Sequence, residues 1–195
     1  MGGKVTLTGK VLTRAHKMLP QVAAMLENAG VRYCLDGGTL LGIYRDGGLL
    51  PWDNDMDLFV DARDVDKILA LRWWLWRIGC RLSTRAFEQD NTFARTGQMR
   101  ILKVKTLRHF GPHRGTLNLD VIVKYKQNDH YFWKIGKVIK KVPSHFYDSF
   151  GEIEFRGRVY PTPCDLEAYL ATRYGDFRQV VKDYDYQRDD RSIVR

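Results

Sequence analysis

Two short stretches decide the fold of this chain: YCLDGGTLLG at residues 33–42 and PWDNDMDLFV at residues 51–60. The first runs from a strand-like segment into Gly37-Gly38, and the second contains an Asp-x-Asp pair, Asp55 and Asp57, that opens a strand. Because side chains along a strand alternate between its faces, these two carboxylates point the same way. They repel each other when ionised, and burying either one alone is costly. The pair therefore indicates a site for a divalent cation.

The ligand type favours Mg²⁺ or Mn²⁺ over Zn²⁺, because carboxylate oxygens are hard ligands. Residues 38–44 have the length of a short helix that begins directly after Gly37-Gly38. Free backbone N–H groups at the start of such a helix attract anions. A cation site beside an anion-binding turn predicts a metal-dependent transferase of a phosphate-containing group.

A third acid, Asp120, lies within the strongly apolar strand predicted at residues 117–123. An unpaired carboxylate there would be costly, so the sequence predicts a partner for it. One interpretation places Asp120 beside Asp55 and Asp57 as a third site carboxylate. The other is an ordinary salt bridge to a lysine or arginine. The first is favoured because the Asp-x-Asp strand already requires a site.

The composition is typical of a soluble globular chain with a basic surface. The 195 residues are 44% apolar and 28% charged, with a net charge of +9. This length favours a single domain over residues 1–195. The charge favours anionic partners such as nucleotides, phosphorylated polymers, nucleic acid or an acidic membrane surface. Three widely spaced cysteines argue against a disulfide framework and against a zinc knuckle.

The sequence shows no targeting or membrane-spanning pattern. No run of about 18 apolar residues is present, so no transmembrane span is predicted. The N-terminus lacks the apolar core of a signal peptide. We therefore expect a cytoplasmic protein, and attachment to the inner surface of a membrane is left open.

Apolar spacing predicts helices over residues 11–29, 63–78 and 165–174. Strands are predicted at residues 32–35, 55–60, 79–87, 98–106 and 117–123, with a hairpin over residues 151–160. Trp73, Trp74 and Trp76 widen the apolar arc of the second helix, which favours packing over a membrane or partner contact. The charged tail from residue 176 onward is expected to lie on the surface.

Two further segments give weaker signals. Residues 125–141 interleave aromatic and basic side chains, which suits nucleic acid, a membrane surface or a phosphorylated acceptor. No RNA-binding signature accompanies them, so nucleic acid is disfavoured as a partner. His109 and His113 are four residues apart, but Gly111-Pro112 breaks any helix that would align them. A loop or substrate contact is therefore favoured over a metal-binding role.

The two opening stretches, with Arg45 between them, resemble the signature of the LicD family. This family includes bacterial phosphocholine transferases and the fukutin and fukutin-related sugar-phosphate transferases. Residues 151–163 and 169–176 are similar to its closing motif, so the resemblance covers roughly residues 15–180. It implies an α+β, nucleotidyltransferase-like fold with a mixed, mostly antiparallel sheet flanked by helices.

The resemblance also implies roles for individual residues. Gly37 and Gly38 would lie under donor phosphates, and Asp55 and Asp57 would hold metal, with Asp120 as a further metal ligand or as general base. The predicted substrate contacts are Gly37, Gly38, Thr39, Arg45, Trp52 and Asp53. The implied donor is a nucleoside diphosphate-linked alcohol such as CDP-choline or CDP-ribitol. The implied acceptor is a glycan or another hydroxyl-rich polymer.

Two alternative functions remain at this point. One is a nucleotidyltransferase that transfers a nucleoside monophosphate to a small molecule, a protein or RNA. The other is a non-catalytic protein that binds nucleic acid or an anionic membrane through its basic surface. The intact acids Asp53, Asp55, Asp57 and Asp120 argue against the silent protein, which would not need a costly acidic cluster.

Overall fold

The computed structural model describes residues 6–107 and 117–194, which form a mixed α+β fold. The helices are α1 (Gly9–Asn28), α2 (Gly37–Asp46), α3 (Val65–Ala70), α4 (Arg72–Arg77) and α5 (Leu166–Tyr174). The strands are β1 (Tyr33–Leu35), β2 (Asp55–Asp61), β3 (Cys80–Ala86), β4 (Met99–Thr106), β5 (Asn118–Gln127), β6 (His130–Ile135), β7 (Val138–Pro143), β8 (Phe150–Phe155) and β9 (Arg158–Pro163).

Seven of these strands form one sheet, in which β1, β2, β5, β4 and β3 lie side by side in that order. The far end of β5 pairs with β6, which in turn pairs with β7. β2 and β5 are parallel, and the other pairs of this sheet are antiparallel. β8 and β9 form a separate hairpin. The mixed, mostly antiparallel sheet flanked by helices is thus confirmed.

Burial explains why the central elements form where they do. β5 is buried continuously from Leu119 to Tyr125 and lies between β2 and β4 in the sheet. α1 buries one apolar stripe, which includes Met18, Val22 and Leu26. Ala29 caps the C-terminus of α1, and Gly30 follows in the left-handed region with a φ of +63°. These elements agree with the predicted helix over residues 11–29 and the strand over residues 117–123.

The single helix predicted over residues 63–78 is instead two short helices, α3 and α4. The Leu71 N–H donates to the carbonyl of Ile68, three residues back, and this tighter turn separates them. Within α4 only Leu75 is buried. The packing role predicted for Trp73, Trp74 and Trp76 is wrong, because all three side chains are more than half exposed.

The C-terminal tail also differs from the prediction. Asp190 and Ser192 are buried, although many of their neighbours are exposed. Ser192 accepts a backbone hydrogen bond from Lys141 of β7, and Val194 donates one to Ile139. The tail therefore packs along the β6–β7 hairpin. Asp190 tolerates this burial because cationic side chains surround it, an arrangement that a charge pattern does not reveal.

No helix in residues 6–107 and 117–194 is long and apolar enough to cross a membrane. The interleaved segment at residues 125–141 forms the end of β5 together with β6 and β7, in which Tyr131 and Trp133 are buried. Much of its aromatic content therefore belongs to the core. His109 and His113 lie outside the described residues.

Candidate active site

Three acidic side chains meet on one face of the central sheet. Asp55 and Asp57 open β2 and share a face because they are two residues apart. β2 and β5 run parallel in a register that pairs Asp57 with Asp120. Side chains of paired residues point to the same side of a sheet. The parallel pairing thus brings together the three acids that the sequence singled out.

The Gly37-Gly38 turn lies directly against these acids. The Asp36 N–H donates to the carbonyl of Asp57 at 3.1 Å, which fixes the start of α2 beside β2. A Cβ atom on Gly37 would lie 2.2 Å from Oδ2 of Asp57, and one on Gly38 would lie 2.2 Å from Oδ2 of Asp53. The two glycines therefore let the backbone approach the carboxylates more closely than any side chain would permit.

This close approach makes Gly37→Ala informative. Gly37 has a φ of +55°, so alanine incurs backbone strain of about 1 kcal/mol and also displaces the Asp57 carboxylate. If the cleft is the site of the transfer reaction that the sequence predicts, the rate of that reaction should fall by about ten- to a hundredfold in steady-state assays, because misplaced reacting groups cost that much. Gly47→Ala is the matched control: its φ is +66° and nothing lies within 4 Å of the added Cβ. Equal activity of the two variants would contradict this role of Gly37.

Thr39 fixes the backbone of Asp57 by a hydrogen bond. Its hydroxyl accepts a hydrogen bond from the Asp57 N–H at 2.8 Å, and its side chain is buried. Thr39 is not among the described residues that line the cleft, unlike the other predicted substrate contacts. In this structure it positions Asp57, and its contact with phosphate stays a prediction.

The acids raise one another's affinity for protons. Burial and the charges of Asp120 and Asp53 raise the pKa of Asp55 to about 7. Burial and the charges of Asp55 and Asp53 raise the pKa of Asp57 well above its usual range. Asp53 accepts a hydrogen bond from the Asn54 N–H at 2.8 Å, which fixes its carboxylate beside the pair. The cluster therefore holds more negative charge than it can keep ionised without a cation.

One cation of the protein already contacts the cluster. Lys103 on β4 pairs with Asp120 across the sheet, and its ammonium group bonds Oδ2 of that carboxylate. Oδ1 of Asp120 is buried and has no hydrogen-bond partner within the described part of the chain. Both interpretations of Asp120 are therefore combined: it stands beside Asp57 and it forms a salt bridge. Sequence patterns did not identify Lys103, because only the β4–β5 register places it there.

The acids lie in an open cleft of about 560 Å³. Its lining includes all the predicted site residues except Thr39, together with cations from β3 and β4, residues of α5 and much of the tail. The predicted residues in the lining are Gly37, Gly38, Arg45, Trp52, Asp53, Asp55, Asp57 and Asp120. The main residues not predicted are Arg85, Arg100, Lys103, Lys140, Arg173, Lys182, Tyr184 and Tyr186. A volume of this size accommodates a small-molecule substrate.

Arg45 and Trp52 line the cleft at the tail side. The Arg45 guanidinium bonds Asp46 in a fork at 2.7 and 2.8 Å and donates to the carbonyls of Phe177 and Gln179 at 3.3 Å. Arg45 thus holds the tail in place, a role that the sequence did not predict. The Lys182 ammonium lies 6.0 Å from the Trp52 ring centroid. Trp52 therefore offers an aromatic face next to a cation.

A buried ionic network anchors the Gly37-Gly38 turn from behind. Asp36 pairs with Lys124 at 2.7 Å and with Arg173 at 3.1 Å, and Tyr169 donates to the same carboxylate. Burial opposes ionisation, but the charges of Lys124 and Arg173 prevail and lower the pKa of Asp36 to about 2. Arg173 also pairs with Asp190 at 2.7 Å. One guanidinium therefore ties the site turn to the tail.

The described residues contain no group of three or more carboxylate, imidazole or thiolate side chains already arranged to hold a metal ion. The donor chemistry nevertheless fits a hard divalent cation, since carboxylate oxygens crowd together and one buried oxygen of Asp120 is unpartnered in the described part of the chain. Lys103 partly neutralises Asp120. The negative charge that a cation would compensate most is therefore that of Asp55 and Asp57.

Comparison with known proteins finds a matching family and several related transferases. Residues 30–165 match the family described as LicD/FKTN/FKRP, nucleotidyltransferase domain. The chain is 30% identical over 160 residues to the human protein named ribitol 5-phosphate transferase FKRP, an alignment that covers 79% of this chain and 30% of that protein. It is 25% identical over 183 residues to mouse ribitol-5-phosphate transferase FKTN, covering 89% of this chain and 35% of the relative.

A bacterial relative is similar over a shorter region. Lipopolysaccharide cholinephosphotransferase LicD of Haemophilus influenzae is 32% identical over 66 residues, which is 34% of this chain and 24% of that protein. The chain spans about a third of the length of FKRP and FKTN, at 30% and 35% respectively. The region that matches the family contains the acids and the glycine turn described above.

Proposed function

The chain belongs to the LicD/FKTN/FKRP nucleotidyltransferase family, and we propose that it is a phosphotransferase that uses a CDP-linked donor. It would move a phospho-alcohol or phospho-sugar group to a hydroxyl of a glycan or similar acceptor. The named relatives are transferases of ribitol 5-phosphate and of phosphocholine. The observation that carries the proposal is the convergence of Asp53, Asp55, Asp57 and Asp120 with the glycine turn in one cleft.

The proposal includes Mg²⁺ or Mn²⁺ as cofactor. Asp55 and Asp57 would hold the ion, and Asp120 is a further carboxylate that lines the same cleft. When bound, the ion would polarise the donor phosphate oxygens and offset the charge that develops on them. The raised pKa values of Asp55 and Asp57 support this assignment, because a cation would stabilise the ionised form of both acids.

The residues of the chain have distinct tasks in this reaction. Lys103, Arg85 and Arg100 line the cleft with fixed positive charge, which would attract and orient the donor diphosphate. Trp52 would stack on a base or sugar of the substrate. Gly37 lets the backbone lie close to the Asp57 carboxylate, beside which the donor would bind.

Asp120 is the proposed general base. The acceptor hydroxyl would attack the phosphorus that carries the alcohol, forming a new P–O bond while the P–O bond to the CMP leaving group breaks. The hydroxyl proton would go to the Asp120 carboxylate. Lys103 holds one oxygen of that carboxylate, so the group has a fixed orientation. In the alternative role, Asp120 would be a further metal ligand through Oδ1, the oxygen that has no hydrogen-bond partner in the described part of the chain.

The reaction products test this proposal. The protein is incubated with Mn²⁺ and CDP-choline, CDP-ribitol or CDP-glycerol, together with a hydroxyl-rich glycan, and the nucleotide products are separated by chromatography. We expect CMP to appear with one of these donors, together with an acceptor that gains the phospho-alcohol but no base. Release of pyrophosphate from a nucleoside triphosphate, with the base retained on the acceptor, would instead identify a nucleotidyltransferase.

A further inference from the structure

Three tryptophans form an exposed cluster on α4, here called the tryptophan patch: Trp73, Trp74 and Trp76. Their exposed fractions are 60%, 53% and 56%. The Trp73 and Trp76 rings stack with centroids 5.0 Å apart, and the Arg77 guanidinium lies 5.5 Å from the Trp74 centroid. Scattered exposed apolar residues are normal, but adjacent large rings mark an interaction surface. None of the three lines the cleft, so the proposed reaction does not use them.

The patch lies in a segment that carries positive charge alone. Residues 67–87 contain five basic residues and no acidic residue. The five are Lys67, Arg72, Arg77, Arg81 and Arg85, and all are exposed. Lys67 pairs with Asp64 at 2.7 Å. The four arginines form no ion pair with the described residues. Arg85 lines the cleft, so the charge available to an anion at the patch is that of Arg72, Arg77 and Arg81.

The patch is held on a rigid part of the fold. Leu75, on the opposite side of α4, is buried and fixes the helix to the sheet beside β3. The chain after α4 is fixed as well, because the Leu107 N–H donates to the carbonyl of Gly79 at 2.8 Å. The indole rings therefore project from a defined edge of the sheet, and β3 is the edge strand there.

We propose that the tryptophan patch docks the protein on an anionic phospholipid membrane. Indole rings favour the boundary between lipid headgroups and acyl chains, since they are largely apolar yet retain an N–H donor. Arginines beside them would pair with lipid phosphates. The short helix α4 carries both the indole rings and two of the arginines, so docking would not need a membrane-spanning helix. This docking is independent of the transfer reaction and would stand if the proposed chemistry failed.

Vesicle binding by the full chain tests the proposal. Vesicles of phosphatidylcholine with about 30% phosphatidylserine are compared with vesicles of phosphatidylcholine alone, using sedimentation and tryptophan emission. We expect binding to the anionic vesicles, with emission shifted to shorter wavelength and quenched by brominated lipid. Substituting serine for all three tryptophans of the patch should weaken binding at least about tenfold, because most of the inserted apolar surface is lost.

A second variant separates charge from apolar insertion. The double variant Arg72→Gln, Arg77→Gln should lose on the order of tenfold in affinity for anionic vesicles and little for neutral ones. Arg95→Gln, at an exposed arginine in the loop between β3 and β4, removes one positive charge outside the patch and should bind like the wild type. Since all altered side chains are exposed, circular dichroism should show an unchanged fold for each variant.

Two results would overturn the proposal. The first is equal vesicle binding by the wild type and by the triple tryptophan variant, which would place the contact elsewhere. The second is an absence of vesicle binding combined with concentration-dependent self-association that the triple variant loses. That result would make the patch an interface between copies of this chain.

Discussion

Asp57→Asn should abolish the proposed transfer reaction while leaving the fold intact. Asp57 lies at the centre of the site. Its backbone N–H donates to the Thr39 hydroxyl, and its strand pairs it with Asp120. Gly37 lies against its side chain. Asparagine keeps the shape but removes the charge that a divalent cation requires. We expect kcat/KM to fall by at least about a thousandfold, measured as CMP release, because losing the proposed metal ligand would remove several kcal/mol of transition-state stabilisation.

The same variant should be at least as stable as the wild type when metal is absent. Folding raises the pKa of Asp55 to about 7 and also raises the pKa of Asp57. At these two acids the folded protein therefore binds protons more tightly than the unfolded chain. Such acids lower the stability of the metal-free protein as pH rises from about 4, the ordinary Asp pKa, through the folded-state values. The substitution removes one of these charges, so the free energy of unfolding at pH 8 should not decrease.

Asp148→Asn is the control for this experiment. Asp148 is an exposed acid outside the cleft lining, and it forms a long surface pair with Lys126 at 3.5 Å. This variant should retain wild-type activity and stability. Full activity in Asp57→Asn would contradict the assignment of Asp57. Loss of activity together with loss of folded structure would show that Asp57 is needed for the fold.

Arg173→Met should reduce the free energy of unfolding by about 3–5 kcal/mol, the largest stability effect that we expect in this protein. Arg173 is buried and bonds both Asp36 and Asp190. Methionine fills much of the volume but leaves Asp190 with Lys140 as its remaining cation and Asp36 with Lys124. Charge left buried with fewer partners is costly, so urea denaturation at pH 7 should show a lower midpoint.

Arg178→Met is the matched control for this prediction. Arg178 pairs with Glu167 at 2.9 Å, but both side chains are more than half exposed. Surface pairs of this type contribute about 0–1 kcal/mol, so the midpoint should hardly move. If the two variants were equally stable, the buried network would not be what holds the site turn and the tail together. A further expected consequence in Arg173→Met is faster proteolysis of the detached tail.

The motif residues could be predicted because their physical demands are local. An Asp-x-Asp pair on a strand fixes which way both carboxylates point, and Gly37-Gly38 before a short helix indicates an anion-binding turn. Asp120 followed from the cost of an acid in an apolar strand. The structure adds a reason for the glycines that the sequence did not give: they pack against Asp57 and Asp53.

Other residues could not be predicted because their partners are distant in the sequence. Lys103 reaches Asp120 only through the β4–β5 register, and Asp190 is buried only because Arg173 and Lys140 meet it. The packing role predicted for the tryptophans of α4 was wrong for a different, local reason. Helical periodicity predicts a face but not the tighter turn at Leu71, which ends one helix and begins another.

Thermal unfolding with the donor panel tests the central claim most directly. Wild type and Asp57→Asn are heated with CDP-choline, CDP-ribitol, CDP-glycerol or CTP, each with and without Mg²⁺ or Mn²⁺. A donor at about 100 times its dissociation constant adds about 2.7 kcal/mol to the free energy of unfolding, or on the order of 5–10 °C here. We predict such a shift for one CDP-alcohol, dependent on metal and lost in Asp57→Asn. A shift of equal size without metal, or in the variant, would contradict the account.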